Sequence, residues 1–458
     1  MKVTRITNAK RPSSPFIAAL SVALCLGACR SQPAKQVEAA VSPATGPTAG
    51  SSAIGRESRT PKTTDLASLQ ETSFDVDTVV EARSPFLAAG ADAGANSGAK
   101  ATSRVTRGDY AGRADVARFI DQMQARGLDR DQLVGVFERT RSDPSILKYM
   151  DRQWQPASGP TGAWTRYRSR HITPAMIDKG SAFWTRHVST LERASRQYGV
   201  PPAYIVAIIG IETRWGGFMG THRIIDALAT LAFDYPRRAD YFQNELAEYL
   251  LKAEDQDFDP LQPVGSFAGA MGLGQFMPSS WRDYAVDFNG DGRRDLWDPE
   301  DVIGSVAHYF QAHGWQPGAA VVVRASGGAG LPWATETGFK SDYAVAELRA
   351  KGIRPAAALA DDRRVSLLRL DASSGLEYWL GFENFYVITR YNHSTYYAMT
   401  VHQLAETLRA RRGLKRPSLR VTEQAAAAGT SAANAASAAA ADTDIAAAAD
   451  TAAAAAAG

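Results

Sequence analysis

The sequence Pro201-Pro-Ala-Tyr-Ile-Val-Ala-Ile-Ile-Gly-Ile-Glu212-Thr-Arg-Trp-Gly216 contains the most apolar run in the body of the chain. The two prolines at its start favour the first turn of a helix, where backbone N–H groups need no intrahelical partner. About ten apolar residues are too few to cross a bilayer, so the run predicts a helix buried in a protein core. Glu212 ends this helix, and burial of a carboxyl group disfavours its charged form and raises its pKa.

Glu212 is therefore a candidate general acid, because a carboxyl group that stays protonated near neutral pH can donate a proton to a leaving group. The segment alone leaves a second interpretation open, in which Glu212 pairs with Arg214 or caps a surface turn. The choice between the two depends on segments further along the chain.

The N-terminus predicts a lipoprotein signal. Residues 1–28 combine a basic start with an apolar run, 16–28, of signal-peptide length. The run ends in Leu26-Gly-Ala-Cys29, which resembles the lipobox of bacterial lipoproteins, so Cys29 is the predicted lipidation site; an ordinary secretory signal is the alternative. Because Arg30 rather than Asp follows, the resemblance implies retention at the inner leaflet of the outer membrane, facing the periplasm. A multiply acylated cysteine would anchor the protein firmly.

Composition divides the rest of the chain. Residues 29–108 are rich in Ala, Ser, Gly, Thr and Pro, which predicts a disordered tether, and residues 418–458 form an Ala-rich tail that is also predicted to be disordered. Residues 109–417 form the predicted folded region between them. The formal net charge of +3 on 458 residues is too small to indicate nucleic-acid binding. Of the two cysteines, Cys25 lies in the predicted signal and Cys29 would carry the lipid, so no disulfide is expected.

The folded region has mostly helical periodicity. Apolar residues recur at helical spacing in residues 114–125, 130–139, 181–198, 241–254, 302–313 and 398–411. Residues 316–380 differ, because 321–324 and 364–370 have the composition of short strands between Gly and Pro turns. The pattern predicts a mainly α fold of the α+β type, in which a helical domain carries a small β-containing insertion.

A second motif has the ligand spacing of an EF-hand loop. Oxygen-bearing side chains stand at loop positions 1, 3 and 5, which are Asp287, Asn289 and Asp291. Gly292 follows at position 6, and Arg293 at position 7 offers its backbone carbonyl. The usual loop length would end on Asp298, but Asp298-Pro299 has the pattern of a helix N-cap. Asp301, in the first turn of that helix, is the preferred closing ligand and Asp298 the second candidate. The motif predicts a structural Ca²⁺ site, with an ion-free turn as the alternative.

Two further regions combine small, polar and aromatic residues. Residues 265–280 carry small side chains, which let a ligand approach the backbone, together with Ser266 and Gln275, which can hydrogen-bond a polar substrate. Segments 164–168 and 390–394 place aromatic rings beside polar groups, as a saccharide groove requires. A Gly-rich connection and half-buried surface residues are the alternative interpretations of these regions.

Taken in order, the motifs form one series that spans most of the folded region. Its members are Ile-Glu-Thr-Arg-Trp-Gly at 211–216, Ala-Leu-Ala-Thr-Leu-Ala-Phe at 227–233, Tyr-Pro-Arg-Arg-Ala at 235–239, Gly-Ser-Phe-Ala-Gly-Ala-Met-Gly at 265–272, Gly-Gln-Phe-Met-Pro-Ser-Ser at 274–280, Leu-Trp-Asp-Pro at 296–299 and Thr-Arg-Tyr-Asn-His-Ser at 389–394. This series closely resembles the membrane-bound lytic murein transglycosylase B family, over roughly residues 116–408. The resemblance implies a lysozyme-like catalytic core, a helical domain, a small β-containing domain and an EF-hand-like calcium site.

The resemblance also implies an activity and the residues that perform it. Such enzymes cleave the bond between N-acetylmuramic acid and N-acetylglucosamine in peptidoglycan and leave a 1,6-anhydromuramoyl end. At matching positions Glu212 is the implied catalytic acid/base, and the implied substrate-binding residues are Ser266, Gln275, Tyr167, Tyr241, Tyr309, Tyr391, Asn392 and Tyr397. The implied calcium ligands are Asp287, Asn289, Asp291, Arg293 through its carbonyl, and Asp301. The expected partners are peptidoglycan glycan strands, the membrane through the lipid on Cys29, and cell-wall synthesis proteins as further candidates; a monomer without organic cofactor is expected.

One carboxyl group is enough for this chemistry, whereas glycosidases normally need two. The substrate supplies its own nucleophile, the muramoyl C6 hydroxyl, so a single acid/base can serve both steps. Two alternatives belong to other classes of protein. A hydrolytic muramidase would need a second carboxylate, for which Asp226, Asp234 and Asp240 are available, and a non-catalytic peptidoglycan-binding lipoprotein would leave Glu212 unused.

Overall fold

The computed structural model describes residues 104–153, 162–328, 331–332 and 335–415. The predicted signal peptide, Cys29, most of the predicted tether and the Ala-rich tail lie outside these residues. The described part is mainly α-helical with two antiparallel sheets, which confirms the predicted fold class. None of its helices is long and apolar enough to cross a membrane.

The helices account for most of the described residues. They are α1 Ala114–Ala125, α2 Arg130–Phe137, α3 Pro144–Gln153, α4 Ala163–His171, α5 Pro174–Arg186, α6 Val188–Tyr198, α7 Pro202–Thr213, α8 Ile224–Asp234, α9 Ala239–Asp255, α10 Pro278–Tyr284, α11 Pro299–Ala312, α12 Val345–Ala350, α13 Glu383–Tyr391 and α14 Thr395–Arg411. The predicted helix over 181–198 is wrong as one continuous element, because the chain leaves helical geometry at His187. This break lets α5 pack against α14 and α6 against α11 while both contact α7.

Helix α7 forms the centre of the core. All residues from Ala203 to Ile211 are buried, and the helix packs against α5, α6, α11 and α14, which explains why it is apolar on every side. Gly210 lies under the indole of Trp215, where a Cβ atom would come within 2.3 Å of the ring. The apolar run therefore forms the predicted buried helix, and Pro201 precedes its first turn.

Two sheets complete the fold. The short strands β1 (His222–Arg223) and β2 (Val264–Gly265) pair antiparallel. The insertion contains β3 Val322–Ser326, β4 Tyr343–Ala344, β5 Arg354–Pro355, β6 Arg364–Ala372 and β7 Gly375–Gly381, in the antiparallel order β4-β6-β7-β3-β5. The strands predicted near 321–324 and 364–370 are confirmed as β3 and β6, whereas β7 was not predicted separately. A hydrophobic cluster that includes Val345, Leu367 and Leu380 gives the insertion its own core.

The last part of the assigned tether contacts the folded region. Val105 is 8% exposed, and the Thr106 hydroxyl donates to Glu138 Oε1 at 3.0 Å. Residues 104–108 therefore pack beside α2, although their composition resembles that of the tether. After β7, the chain returns to the helical part through α13 and α14, and α14 packs along α7. This return brings the C-terminal aromatic residues to the end of α7.

Candidate active site

Glu212 lies in the last turn of α7, where the chain leaves the core. The two residues at the following turn, Arg214 and Trp215, have φ values of +54° and +56°, which are uncommon for residues other than glycine. The Trp215 indole N–H donates to the Val206 carbonyl at 3.0 Å, and this hydrogen bond links the turn to α7. This turn fixes the backbone position of Glu212 at the edge of the core.

A tyrosine from a distant part of the chain meets the Glu212 carboxyl group. The hydroxyl of Tyr397, a fully buried residue in the first turn of α14, donates to Glu212 Oε1 at 2.5 Å. Burial raises the pKa of Glu212 to about 7, and the hydrogen bond from Tyr397 acts in the opposite direction by favouring the carboxylate. Among the described residues, no other carboxylate contributes to this pKa shift. A carboxyl group in this state can release and recover a proton near neutral pH.

The three aspartates considered as a second carboxylate are engaged elsewhere or exposed. Asp226 accepts hydrogen bonds from the Arg223 guanidinium at 2.7 Å, and Asp234 accepts one from Arg113 at 2.6 Å. Asp240 is exposed in the first turn of α9. The described residues therefore bring one carboxyl group, rather than a pair, to the end of α7.

The loop that carries Gln275 is attached to both α7 and α13. The Thr213 hydroxyl donates to the Leu273 carbonyl at 2.9 Å and accepts from the Gly216 N–H at 3.1 Å. The Tyr391 hydroxyl donates to the Gly274 carbonyl at 2.5 Å. Thr213 was not predicted as a functional residue; its position next to Glu212 is the only sequence signal, because the contact with Leu273 depends on the fold.

Gln275 presents an unused acceptor at this loop. Its backbone has φ +51°, and its side-chain N–H₂ group donates to the Gly272 carbonyl at 3.0 Å and to the Met219 carbonyl at 3.3 Å. Its Oε1 atom is buried and has no hydrogen-bond partner among the described residues. Because an unpaired buried acceptor is unfavourable, this oxygen is suited to receive a donor from a ligand.

Ser266 has a different environment from the one expected of a substrate contact. It is fully buried, and its Oγ accepts the N–H groups of Ala268 at 3.3 Å and Ala270 at 2.9 Å. These bonds close a tight turn and leave the hydroxyl hydrogen available, since the oxygen acts as acceptor in both. A direct contact of Ser266 with substrate stays a prediction.

The predicted tyrosines form a connected set behind Glu212. The Tyr309 hydroxyl donates to the Arg390 carbonyl at 2.7 Å, and its ring centroid lies 4.8 Å from that of Tyr391. Burial raises the pKa of Tyr309 and Tyr391, and for Tyr391 the nearby Glu212 charge adds to the effect. The Tyr167 ring centroid lies 5.9 Å from that of Tyr396, the residue before Tyr397, and the proximity of Tyr167 also raises the pKa of Tyr397.

Asn392 and Tyr241 are the remaining predicted substrate residues. Asn392 follows α13 and is 8% exposed, and no hydrogen bond within the described residues holds its side-chain amide. Tyr241 lies at the start of α9 with the Arg238 guanidinium over its ring at 4.1 Å. Its hydroxyl faces Glu245, a buried carboxyl whose oxygens accept from the N–H and hydroxyl groups of Ser279.

The loop between α10 and α11 gathers the predicted calcium ligands. Carboxylate oxygens of Asp287, Asp291 and Asp301 lie within 4.8 Å of one another. Asn289 lies between the first two, and its Oδ1 accepts the Asp291 N–H at 2.9 Å. The donor set is made of hard oxygen atoms, which are the ligands that Ca²⁺ prefers, so these residues fit the predicted ion.

The two candidates for closing the loop have different partners. Asp298 Oδ1 accepts the N–H groups of Glu300 at 2.7 Å and Asp301 at 3.2 Å, so Asp298 is the N-cap of α11. Asp301 is buried and its carboxylate reaches back into the loop, accepting from the N–H groups of Phe288 at 2.7 Å and Asp295 at 2.8 Å. The geometry therefore favours Asp301 as the closing ligand.

Known proteins share this architecture. The family model described as Transglycosylase SLT domain matches residues 111–406. The chain is 53% identical over 308 residues to the membrane-bound lytic murein transglycosylase B of Escherichia coli (strain K12), a match that covers 66% of this chain and 84% of that protein.

Solved structures give the same assignment. The Escherichia coli lytic transglycosylase SLT35 in complex with calcium matches with 52% identity and a TM-score of 0.63, over 67% of this chain and 96% of that one. SltB3 from Pseudomonas aeruginosa in complex with NAG-anhNAM-pentapeptide matches with 28% identity and a TM-score of 0.56, over 64% of this chain and 78% of that one. The resemblance of the motifs is thereby confirmed, and the chain belongs to the transglycosylase SLT domain family, in the group of the membrane-bound lytic murein transglycosylase B.

Proposed function

We propose that this protein is a lytic transglycosylase that cleaves the MurNAc-β-1,4-GlcNAc bond of peptidoglycan and forms 1,6-anhydroMurNAc ends. The observation that carries the proposal is the buried Glu212 carboxyl group, whose pKa is raised to about 7. Among the described residues, no second carboxylate contributes to this pKa shift. The membership of the family supports it. So does the NAG-anhNAM-pentapeptide bound by SltB3, because its name denotes an anhydro sugar.

In the first step, Glu212 acts as general acid. Its carboxyl proton passes to the glycosidic oxygen while the bond between that oxygen and C1 of the muramoyl residue breaks. Tyr397 already donates to Oε1, so Oε2 is the oxygen that carries the proton. The same hydrogen bond stabilises the carboxylate that remains after proton transfer, which lowers the energy of the charged product of this step.

In the second step, Glu212 acts as general base. The muramoyl C6 hydroxyl attacks C1, its proton passes to the Glu212 carboxylate, and the new C6–O–C1 bridge forms the anhydro ring. The acid form of Glu212 is restored, so each turnover returns the enzyme to its starting state without consuming water. Because nucleophile and electrophile belong to one sugar ring, the closure has the large advantage of an intramolecular reaction.

The surrounding polar groups suit a saccharide groove. The free Oε1 of Gln275 accepts from a hydroxyl or amide N–H of the strand, and the amide of Asn392 provides a donor and an acceptor. Tyr391 and Tyr309 hold the Gln275 loop and the end of α13 in place. The remaining members of the proposed substrate-binding set are Ser266, Tyr167, Tyr241 and Tyr397.

A Ca²⁺ ion has a structural role in the proposal. The ligands are Asp287, Asn289, Asp291, the carbonyl of Arg293, and Asp301. The ion would neutralise three carboxylates that lie within 4.8 Å of one another and would tie the start of α11 to the preceding loop. The homologue SLT35 was solved in complex with calcium, which supports this assignment.

The proposed location follows from the N-terminal motif and from the relatives. The similar Escherichia coli protein is described as membrane-bound, which supports membrane association within the cell envelope. A lipid on Cys29 would anchor this chain to the inner leaflet of the outer membrane, with residues 30–103 leading to the folded part. Cys29 lies outside the described residues.

Mass spectrometry of released muropeptides tests the proposal. The full-length protein, solubilised in detergent, is incubated with purified peptidoglycan, and the Glu212→Gln variant serves as control. Anhydromuramoyl ends that depend on Glu212 are expected. Reducing muramic acid ends, which are one water heavier, would identify a hydrolase instead. If a folded protein released no muropeptides, the proposed enzymatic activity would be contradicted.

A further inference from the structure

An aromatic cluster lies on the surface where the proposed mechanism assigns no role. Tyr149 on α3 is 40% exposed, and its ring centroid lies 5.4 Å from that of Phe267 and 6.3 Å from that of His222. Phe267 and His222 are half-buried. The three rings come from α3, β1 and the turn after β2, so only the fold assembles them. We call Tyr149, His222 and Phe267 the aromatic platform.

The platform borders the turn that follows Glu212. Gly220, near the end of that turn, approaches Gly265 so closely that a Cβ atom on Gly220 would lie 1.9 Å from the Gly265 carbonyl oxygen. Strand β1 then pairs His222 with Gly265. Phe267 follows two residues later in the chain, in the same loop that continues to Gln275. The platform and the Gln275 loop therefore belong to one continuous backbone frame.

The turn that carries Phe267 holds its ring at the surface. Ser266 and Ala268 on either side are 0% and 1% exposed, and the Ser266 hydroxyl accepts the Ala268 and Ala270 N–H groups. These hydrogen bonds hold the turn without involving the Phe267 side chain. Apolar rings that form one contiguous patch in partial contact with water are typical of binding surfaces.

Polar groups stand beside the rings. His222 Nδ1 lies 3.4 Å from a carboxylate oxygen of Asp143, and the two side chains retain 27% and 37% of their exposure. The Asp143 backbone is fixed by its N–H bond to Thr230 Oγ1 at 2.9 Å. Aromatic rings flanked by a carboxylate and an imidazole match the chemistry of a sugar, which has an apolar C–H face and hydroxyl groups at its rim.

The geometry points to an additional saccharide-binding subsite at the aromatic platform, which binds a GlcNAc or MurNAc ring of the glycan strand away from the bond that is cleaved. The sugar stacks its apolar face on Phe267 and Tyr149, while Asp143 and His222 bond to its hydroxyls. This inference rests on the proposed function, because a strand whose cleaved bond lies at Glu212 extends beyond that residue. The subsite favours long strands over short fragments.

Binding measurements in the Glu212→Gln background test the subsite, because the strand stays intact there. Isothermal titration calorimetry compares a peptide-free GlcNAc–MurNAc tetrasaccharide with strands of several times that length. Phe267→Ala and Tyr149→Ala are expected to weaken binding of the long strands by about 3- to 10-fold, with a smaller effect on the tetrasaccharide. Tyr149→Phe keeps the ring and should bind as the parent protein does.

Tyr386→Ala is the matched control, because Tyr386 is also 40% exposed but lies on α13 outside the platform. Equal losses for long and short strands, or no loss with either alanine variant in a folded protein, would overturn the subsite. The proposed function is judged separately by cleavage with Glu212 present. Platform-dependent binding without anhydromuramoyl products would contradict the proposed activity and support the subsite. Anhydromuramoyl products without platform-dependent binding would support the activity and contradict the subsite.

Discussion

Two regions of the molecule use carboxyl groups in opposite ways. At the end of α7, the buried Glu212 carboxyl accepts a hydrogen bond from Tyr397, and burial raises its pKa to about 7. In the loop before α11, three carboxylates gather within 4.8 Å, and one of them, Asp301, accepts N–H groups of Phe288, Asn289 and Asp295. Burial raises the pKa of both Glu212 and Asp301, so the difference lies in the number of N–H donors and of neighbouring carboxylates, which separates a candidate proton donor from a candidate metal ligand.

The largest effect is expected when the Glu212 carboxyl group is replaced by an amide. Glu212→Gln removes the transferable proton and should lower the rate of anhydromuropeptide release by about 10²- to 10⁴-fold. Asp234→Asn is the control, because this carboxylate pairs with Arg113 and is not needed for a single-carboxyl mechanism. Comparable losses in both variants, with both proteins folded, would contradict the assignment.

The Tyr397→Phe variant tests what holds the Glu212 pKa near neutrality. A general acid must be protonated, so activity should fall as the pH rises through about 7. The Tyr397 hydrogen bond favours the charged form, so its removal raises the Glu212 pKa and moves this descending limb to higher pH, by about one unit. The rate at the optimum should fall about tenfold, because the carboxylate loses a stabilising donor. A pH–rate profile that does not move, or moves to lower pH, would refute this role.

The calcium loop offers a matched pair of amide variants. Saturation with Ca²⁺ at about 100 times the dissociation constant should stabilise the protein by about 2.7 kcal/mol, seen as a rise in Tm that EGTA reverses. Asp301→Asn should abolish this response, because the side chain loses its charge within the cluster of carboxylates. Asp298→Asn should keep it, since Asn caps a helix as well as Asp does. The reverse outcome would make Asp298 the ligand.

The smallest effect concerns the link between α7 and the Gln275 loop. Thr213→Val removes the hydroxyl that donates to the Leu273 carbonyl and should cost about 1–3 kcal/mol of unfolding free energy, because that carbonyl and the Gly216 N–H lose their partner. Thr213→Ser restores the hydroxyl and should recover most of the loss in chemical denaturation. The KM for glycan strands should also rise in the Thr213→Val variant. Equal unfolding free energies of the Val and Ser variants would show that the Thr213–Leu273 hydrogen bond does not stabilise the protein.

Much of the fold could be predicted because its signals are local. The apolar run of α7, the start of α11 at Asp298-Pro299 and the strands β3 and β6 all follow from residue type and periodicity. The break at His187 could not be predicted, because the segment has continuous helical periodicity and the bend depends on the packing of α5 and α6 around α7. Strand β7 was missed since only its pairing with β6 and β3 identifies it.

The sequence by itself determined that Glu212 ends a buried helix and that a loop with alternating oxygen ligands precedes α11, because both depend on neighbours within one turn of the chain. Only the tertiary structure decided that Tyr397, 185 residues away, bonds to Glu212, and that Asp301 rather than Asp298 reaches the loop carboxylates. The aromatic platform likewise combines residues far apart in the chain. The physical reason is that a pKa, a ligand set and a binding surface depend on atoms within a few ångströms, and the packing of distant elements sets those distances.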